Sequence, residues 1–195
     1  MRRFVVLGHE AHTAPDYSLN DLPGTSGRID VLVRCVTAAF LLSHGIRKDV
    51  ELYLTLKGPP SPPRTIRFLG SEVRHLNPDE RSTAALLLKA LETQSIFESL
   101  STKGIYSSGL GFQELLSQLK GPFVLLKEDG KDIRKHAMPK DAIFVISDHL
   151  DFTNDEENAL MSYNPFVISL GPRSIHADQC IIIVNNELDR REAQL

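Results

Sequence analysis

Three short stretches carry residue types that do chemistry. Residues 166–180 read FVISLGPRSIHADQC: an apolar run breaks on Gly171-Pro172-Arg173, and Ser174, His176, Asp178 and Cys180 follow before a second apolar run, IIIV. Residues 142–149 read AIFVISDH, so Ser147, Asp148 and His149 close another apolar run. Residues 123–129 read FVLLKED and end a third on Lys127, Glu128 and Asp129. Serine, histidine and aspartate side by side raise acyl-transfer chemistry, but no G-x-S-x-G nucleophile elbow accompanies them. Asp151, His176 and Asp178 raise zinc, yet their spacing matches no metal-ligand pattern, and no metal is expected. Cys180 reads as a small buried hydrophobe with its backbone near a ligand. Ser174 reads as a helix N-cap with Asp178 favouring the helix dipole, and His176 as a surface residue at the helix start.

The elements that must position these turns follow from periodicity. Residues 3–7 (RFVVL) predict an opening strand, and residues 8–27 are too rich in Pro, Gly, Asn and Asp for regular structure. Ile29, Leu32, Val33, Val36 and Phe40 recur at helical spacing, with Gly45 as a stop. Residues 50–56 (VELYLTL) and 65–70 (TIRFLG) predict strands flanking a proline-rich loop, GPPSPPR. Asn77 caps a helix with Pro78 at its first position and Glu80 completing a capping box; Ala84, Leu87, Leu88 and Leu91 form its inner face. Residues 93–120 read as helix interrupted by KGIYSSGLG. Strands follow at 123–126, with EDGKD as a turn, at 142–146 and at 166–170. A short helix spans DEENALMSY, and a terminal helix runs from Ser174 onward. Continuously apolar strands alternating with helices predict an α/β fold, a mainly parallel sheet covered by helices on both faces, in a single domain over 1–195.

In such sheets ligands bind outside the carboxyl ends of the strands. Those ends are the three turns named above, which converge on one crevice if their strands are neighbours. The chain has no G-x-x-x-x-G-K-[ST] loop and no G-x-G-x-x-G after a strand, which argues against nucleoside triphosphates and the usual dinucleotides. Backbone amides and carbonyls with apolar walls suit an uncharged heterocycle and a small zwitterion, and a nucleoside-bearing cofactor such as S-adenosylmethionine is compatible.

Bulk charge gives no argument for nucleic acid: the 195 residues carry a formal net charge of −3. Any RNA contact must be local, and Arg2-Arg3, Arg47-Lys48, Arg64, Arg67, Arg74 and residues 131–136 (KDIRKH) offer a basic track. Two cysteines, Cys35 and Cys180, make no disulfide framework and fit a reducing compartment. The N-terminus lacks the apolar region of a signal peptide, and no run approaches a membrane span, so the expectation is a cytoplasmic protein with no membrane partner.

The motifs, taken in order, resemble the TrmY-type tRNA pseudouridine N1-methyltransferases of the SPOUT class. The stretches that carry the resemblance are PDYSLNDLPGTSGRIDVLVRC, GP-x-PP, FLGSEV, NPDER, FVISDHLDF and SLGPRSIHADQC, running from Pro15 to Cys180. The resemblance implies an α/β fold whose C-terminal part forms a trefoil knot, S-adenosylmethionine held by the knotted turns, and a homodimer packed through knot helices. Carried over by position, the cofactor site is Leu126, Ser147, Ser169, Leu170, Gly171, Pro172, Arg173, Ile175 and Cys180. Many relatives carry glycine at position 147, where serine is small enough to fit. The implied reaction is in-line methyl transfer to N1 of a pseudouridine in the T-loop of tRNA. Arg28 and Asp30 of GRIDV match an Arg-x-Asp element of the related ribosomal-RNA enzymes. Asp30 is expected as the base or as the carboxylate reading the base edge, and Arg28 as the holder of a phosphate or the developing anion. Two other readings stand beside this one: a bacterial-type relative acting on another RNA, and a non-catalytic RNA-binding or assembly factor that keeps the fold.

Overall fold

A computed structural model describes residues 1–61, 63–93 and 95–194. Pro62 of the proline-rich loop, Gln94 and Leu195 lie outside the described residues. The elements run β1 (Arg2–Gly8), α1 (Leu22–Thr25), α2 (Ile29–Phe40), β2 (Leu41–Leu42), β3 (Gly45–Ile46), β4 (Val50–Leu56), β5 (Arg64–Leu69) and α3 (Glu80–Leu91). They continue β6 (Ser99–Thr102), β7 (Ile105–Ser108), α4 (Phe112–Gln118), β8 (Phe123–Asp132), β9 (Ile143–Ser147), α5 (Asn154–Met161), β10 (Phe166–Ser169) and α6 (Ala177–Glu192).

Eight strands form one sheet in the order β10-β8-β9-β1-β4-β5-β7-β6. The first five are parallel; β5, β7 and β6 complete the sheet antiparallel. Both faces of the central strands are apolar because both are covered. Phe4, Val6, Phe144 and Ile146 pack under α2, α3 and α6, while Val5, Leu7, Ile143 and Val145 pack under α4 and α5. Phe4 and Phe144 stack across the β1–β9 pair with ring centroids 5.6 Å apart. This is the α/β arrangement expected from the uninterrupted apolar strands.

Several local expectations are corrected. Residues 93–120 hold the β6–β7 hairpin as well as α4. Gly104 makes the two-residue turn at φ 77, so close to Val73 that a Cβ would lie 2.3 Å from its nitrogen. A four-residue run is too short to outweigh a helical pattern, and β6 is an edge strand whose Leu100 is exposed. EDGKD is not a turn between elements: β8 pairs Leu125 with Val167, shifts register, and resumes with Lys131 beside Ile168. Helix α2 ends at Phe40, and Gly45 belongs to the β2–β3 hairpin instead of stopping it. The cap of α3 is Asp79, whose carboxylate accepts from the Ser82 amide, not Asn77. Helix α6 starts after His176, not at Ser174, with the His176 amide donating to Gln179 Oε1 at 3.1 Å. Within residues 8–27, Asp21 caps the single turn α1.

Candidate functional site

The turn after β1 is the hub of the carboxyl edge. The Lys57 amide donates to Gly8 O at 2.9 Å, tying β1 to the end of β4, and the Asp148 amide donates to Leu7 O at 3.1 Å, tying it to the end of β9. The His12 amide reaches Ser26 O at 3.0 Å and the Gly58 amide reaches Ala11 O at 2.9 Å. These bonds press the chain together. A Cβ on Gly27 would lie 1.8 Å from Glu10 O, and one on Gly58 would lie 2.1 Å from the same oxygen.

That packing fixes the start of α2. Gly27 and Arg28 are consecutive left-handed residues, φ 62 and 68, and Ser26 Oγ accepts the Ile29 amide in place of an ordinary cap. Left-handed backbone at a non-glycine residue costs about 1–3 kcal/mol and persists only where the surroundings over-determine it. Arg28 donates to Asp30 through Nε at 2.9 Å and Nη2 at 3.2 Å, and Arg34 adds a third bond at 3.0 Å. Asp30 is 3% exposed. Burial alone would raise its pKa, but the two guanidinium groups outweigh burial and hold the carboxylate below its ordinary value. Arg28 keeps 38% of its side chain exposed and lines a cavity of about 690 Å³ with His9, Glu10, His12, Lys57 and Gly58. Asp30 lies behind this wall.

Strands β8 and β9 are neighbours and β10 flanks β8, so their three ends do converge. They enclose a second cavity of about 770 Å³, lined by Leu126, Lys127 and Glu128, by residues 146–152, and by Ile175, His176, Ala177 and Cys180 among others. A small recess of about 40 Å³ beside it is lined by Leu126, Leu170, Gly171, Arg173, Ile175 and Cys180. Of the nine residues expected here, Leu126, Ser147, Ile175 and Cys180 line the large cavity, and Leu170, Gly171 and Arg173 line the recess. Ser169 and Pro172 line neither. The Ser169 hydroxyl donates to Gly171 O at 3.0 Å and accepts from its amide at 3.2 Å, so it shapes the turn from behind. Ser147 Oγ donates to Leu150 O, closing the next turn in the same way. Burial pushes the Cys180 thiol up to about 11, which keeps it protonated and unreactive.

Three side chains between the cavities escaped the sequence reading. His9 sits with Nδ1 2.9 Å from Asp148 Oδ1 and Nε2 3.0 Å from Glu156 Oε2. Lys57 donates to the other Glu156 oxygen. Gly8-His9-Glu10 is itself a strand end, so the reasoning that found the other turns reaches it too; its polar composition hid it. Glu156 also closes a capping box with Thr153 at the start of α5.

The basic track expected for RNA is partly spent inside the protein, while Lys48, Arg74, Lys131, Arg134 and Lys135 stay exposed. Arg2 binds Asp189 and Glu192, Arg47 binds Asp189, and Arg64 is 8% exposed among backbone carbonyls. Arg67 pairs with Glu51 and Glu98 and lies over Tyr106. Arg2 and Arg47 also sit at the end of the sheet opposite the site. Among the described residues, no helix is long and apolar enough to cross a membrane, and no cluster of three metal-ligating side chains occurs.

A family described as putative SAM-dependent RNA methyltransferase matches residues 1–193. The chain is 49% identical over 193 residues to a tRNA (pseudouridine(54)-N(1))-methyltransferase of Methanocella arvoryzae, covering 98% of this chain and 100% of that one. It is 45% identical to the enzyme of the same name from Methanosarcina mazei, covering 100% and 93%. The structure superposes on Archaeoglobus fulgidus Nep1, solved bound to S-adenosylhomocysteine, with a TM-score of 0.68 at 17% identity, over 98% of this chain and 99% of that one. This last likeness concerns the fold.

Proposed function

The chain belongs to the SAM-dependent RNA methyltransferase family just described, and from that premise we propose that it methylates N1 of pseudouridine 54 in tRNA with S-adenosylmethionine as donor. The observation that carries this is near-half identity, over the whole length, to enzymes named for that reaction.

The 770 Å³ cavity fits the donor. Ile146, Leu150, Phe152 and Ile175 provide apolar wall for an adenosine, while Glu128, Asp148, Asp151 and Glu157 outnumber Lys127, an excess that favours a cation and repels a polyphosphate. Leu126, Ser147, Ile175 and Cys180 would hold the cofactor from this cavity, and Leu170, Gly171 and Arg173 from the recess. Ser169 and Pro172 would support the turn between them. When bound, S-adenosylmethionine supplies an electrophilic methyl group and leaves as a thioether.

The 690 Å³ cavity would take the acceptor base. Pseudouridine offers a free N1–H because its sugar is attached through carbon. N1 gains the methyl and gives up that proton, and charge builds on the ring as it leaves. Arg28, anchored at two points by Asp30, is placed to meet that charge or a flanking phosphate. Asp30 accepts from two arginines, has a lowered pKa and lies behind the wall, so it suits an anchor for Arg28 more than a proton acceptor or a reader of the base edge. The proton would leave through water at the open cavity mouth. Holding both partners in line then supplies much of the rate.

The same reading extends to one domain spanning residues 1–195, a C-terminal trefoil knot, a cytoplasmic site of action and a homodimer packed through α6. Ala177, Ile181 and Val184 of α6 face the core, while Ile182 is 53% exposed and available to a second copy. The test is labelled cofactor with tRNA carrying pseudouridine or uridine at position 54. Label must appear at N1 of pseudouridine and not on the uridine transcript. RNA binding with no transfer would instead favour a non-catalytic factor. Arg28→Ala should lower kcat at least tenfold, with cofactor affinity unchanged.

A further inference from the structure

We propose that His9 is a positioning residue for methyl transfer: its ring, clamped between Asp148 and Glu156, locks the turn that walls the cofactor cavity to the turn that walls the acceptor cavity. The inference rests on the methyltransferase reading of those two cavities. It begins from geometry. His9 lines one cavity and Asp148 the other. Their side chains are 9% and 2% exposed, and that of Glu156 is 8% exposed. The His9 backbone amide also donates to Asp148 Oδ2 at 2.9 Å, so Asp148 grips both the main chain and the ring of the same residue.

An ionised carboxylate only accepts hydrogen bonds, so a ring bonded to two of them must donate from both nitrogens. The proton belongs on the ring, because each carboxylate is held ionised by other donors. Asp148 also accepts the Leu150 amide at 3.0 Å. Glu156 accepts Lys57 and the Thr153 amide, the latter at 2.8 Å. The hydrogen bond to Asp148 raises the His9 pKa first, burial opposes it, and Glu156 raises it further. The remaining titratable and charged groups facing this cluster are His149, 3.3 Å from Asp148 Oδ2, Glu10, 3.5 Å from His149, and Arg28 across the acceptor cavity.

One ion thus joins the ends of β1 and β9 to the first turn of α5, and Lys57 adds the end of β4 through Glu156. A neutral ring could donate to only one carboxylate, and its other nitrogen would present a lone pair to an oxygen about 3 Å away. The turn at residues 148–150, which lines the cofactor cavity, would then spread from the hub. The sign of the pH effect follows. His9 is raised in the folded protein, so the clamp is complete below the ordinary histidine pKa and is lost as pH rises through the raised value.

The test uses the ligand-free full-length chain. Nitrogen-15 spectra of its histidines, assigned with His9→Gln, should show a His9 ring still protonated on both nitrogens above the ordinary histidine pKa. S-adenosylhomocysteine affinity, measured by calorimetry across pH, should weaken about tenfold in His9→Gln, the loss expected from a charged hydrogen bond. The wild-type affinity should fall on the alkaline side while the variant's stays level, and His44→Gln should behave as wild type. A folded His9→Gln protein with wild-type affinity and pH profile overturns the proposal, as does a His9 ring carrying one proton at neutral pH. If His9→Gln does not fold, the wild-type titration and its alkaline loss of affinity decide alone. Wild-type protein that binds S-adenosylhomocysteine but transfers no methyl to RNA defeats the proposed function and leaves the clamp to be judged on these same data.

Discussion

Gly27→Ala puts the hub of the site under direct strain. The added Cβ would stand 1.8 Å from the carbonyl oxygen of Glu10, where real Cβ atoms come no nearer than 3.0 Å, a deficit of 1.2 Å against backbone. Neither side yields easily. The Glu10 segment is held by the bonds from Lys57 and Gly58 at either side of it, and Gly27 precedes a helix start fixed by Ser26. Left-handed backbone at an alanine costs about 1 kcal/mol, and forcing atoms into a packed site costs about 1–3 kcal/mol more. For a chain of this length each kcal/mol lowers Tm by about 2–4 °C, so a drop of roughly 4–16 °C is expected. Arg28 is the next residue and must move with the displaced backbone. A misplacement of about 1 Å costs on the order of a hundredfold in rate. Thermal unfolding and single-turnover methyl transfer, run well below the variant's Tm, read the two effects separately. Gly45→Ala is the control: its Cβ meets nothing within 4 Å, and stability should change by less than about 1 kcal/mol with activity intact. A Gly27→Ala protein as stable as wild type would refute the packing argument. One destabilised as expected but fully active would refute the placement of Arg28 at the reacting base.

Glu156→Gln tests the acid side of the same hub. Burial raises the Glu156 pKa, but Lys57, Thr153 and His9 outweigh it and bring it to about 2. A depressed carboxyl stabilises the fold above its unfolded pKa and loses that contribution as pH falls through the folded one. The variant should therefore be about 2 kcal/mol less stable near pH 7, a figure discounted because Lys57 is partly exposed. The gap measured by thermal unfolding should close between the ordinary carboxylate range and about pH 2; a gap independent of pH would contradict the charge assignment. Ile182→Glu should leave the monomer folded, because that side chain is 53% exposed, while shifting light-scattering mass from dimer to monomer at micromolar concentration. An unchanged dimer would show that α6 packs elsewhere.

Much of the architecture was legible in the sequence because the central strands are covered on both faces. Residues 4–7 and 142–146 are apolar without alternation, residues 50–56 put an apolar side chain at every second position, and the structure places all three runs in the sheet interior as β1, β9 and β4. The turns at 147–149 and 171–173 were found for the same reason: an apolar run that stops on polar residues, glycine or proline marks a strand's end. Where elements are short and rich in serine the period is not legible, as at β6 (SLST) and β7 (IYSS), whose four residues each are too few to separate a strand from a fragment of helix.

What the sequence determined, then, is local: the apolar runs, the residues that break them, and the ordered motifs from Pro15 to Cys180. Only the tertiary structure decided which charges are free to act. Arg2 looks available in a list of basic residues, yet folding carries Asp189 to it from 187 positions away. His9 looks like one polar residue in a loop, yet folding places it between carboxylates 139 and 147 positions along the chain. The physical reason is that an apolar pattern declares burial to its own neighbours, whereas a charge takes its pKa and its partners from whatever the fold brings within about 4 Å.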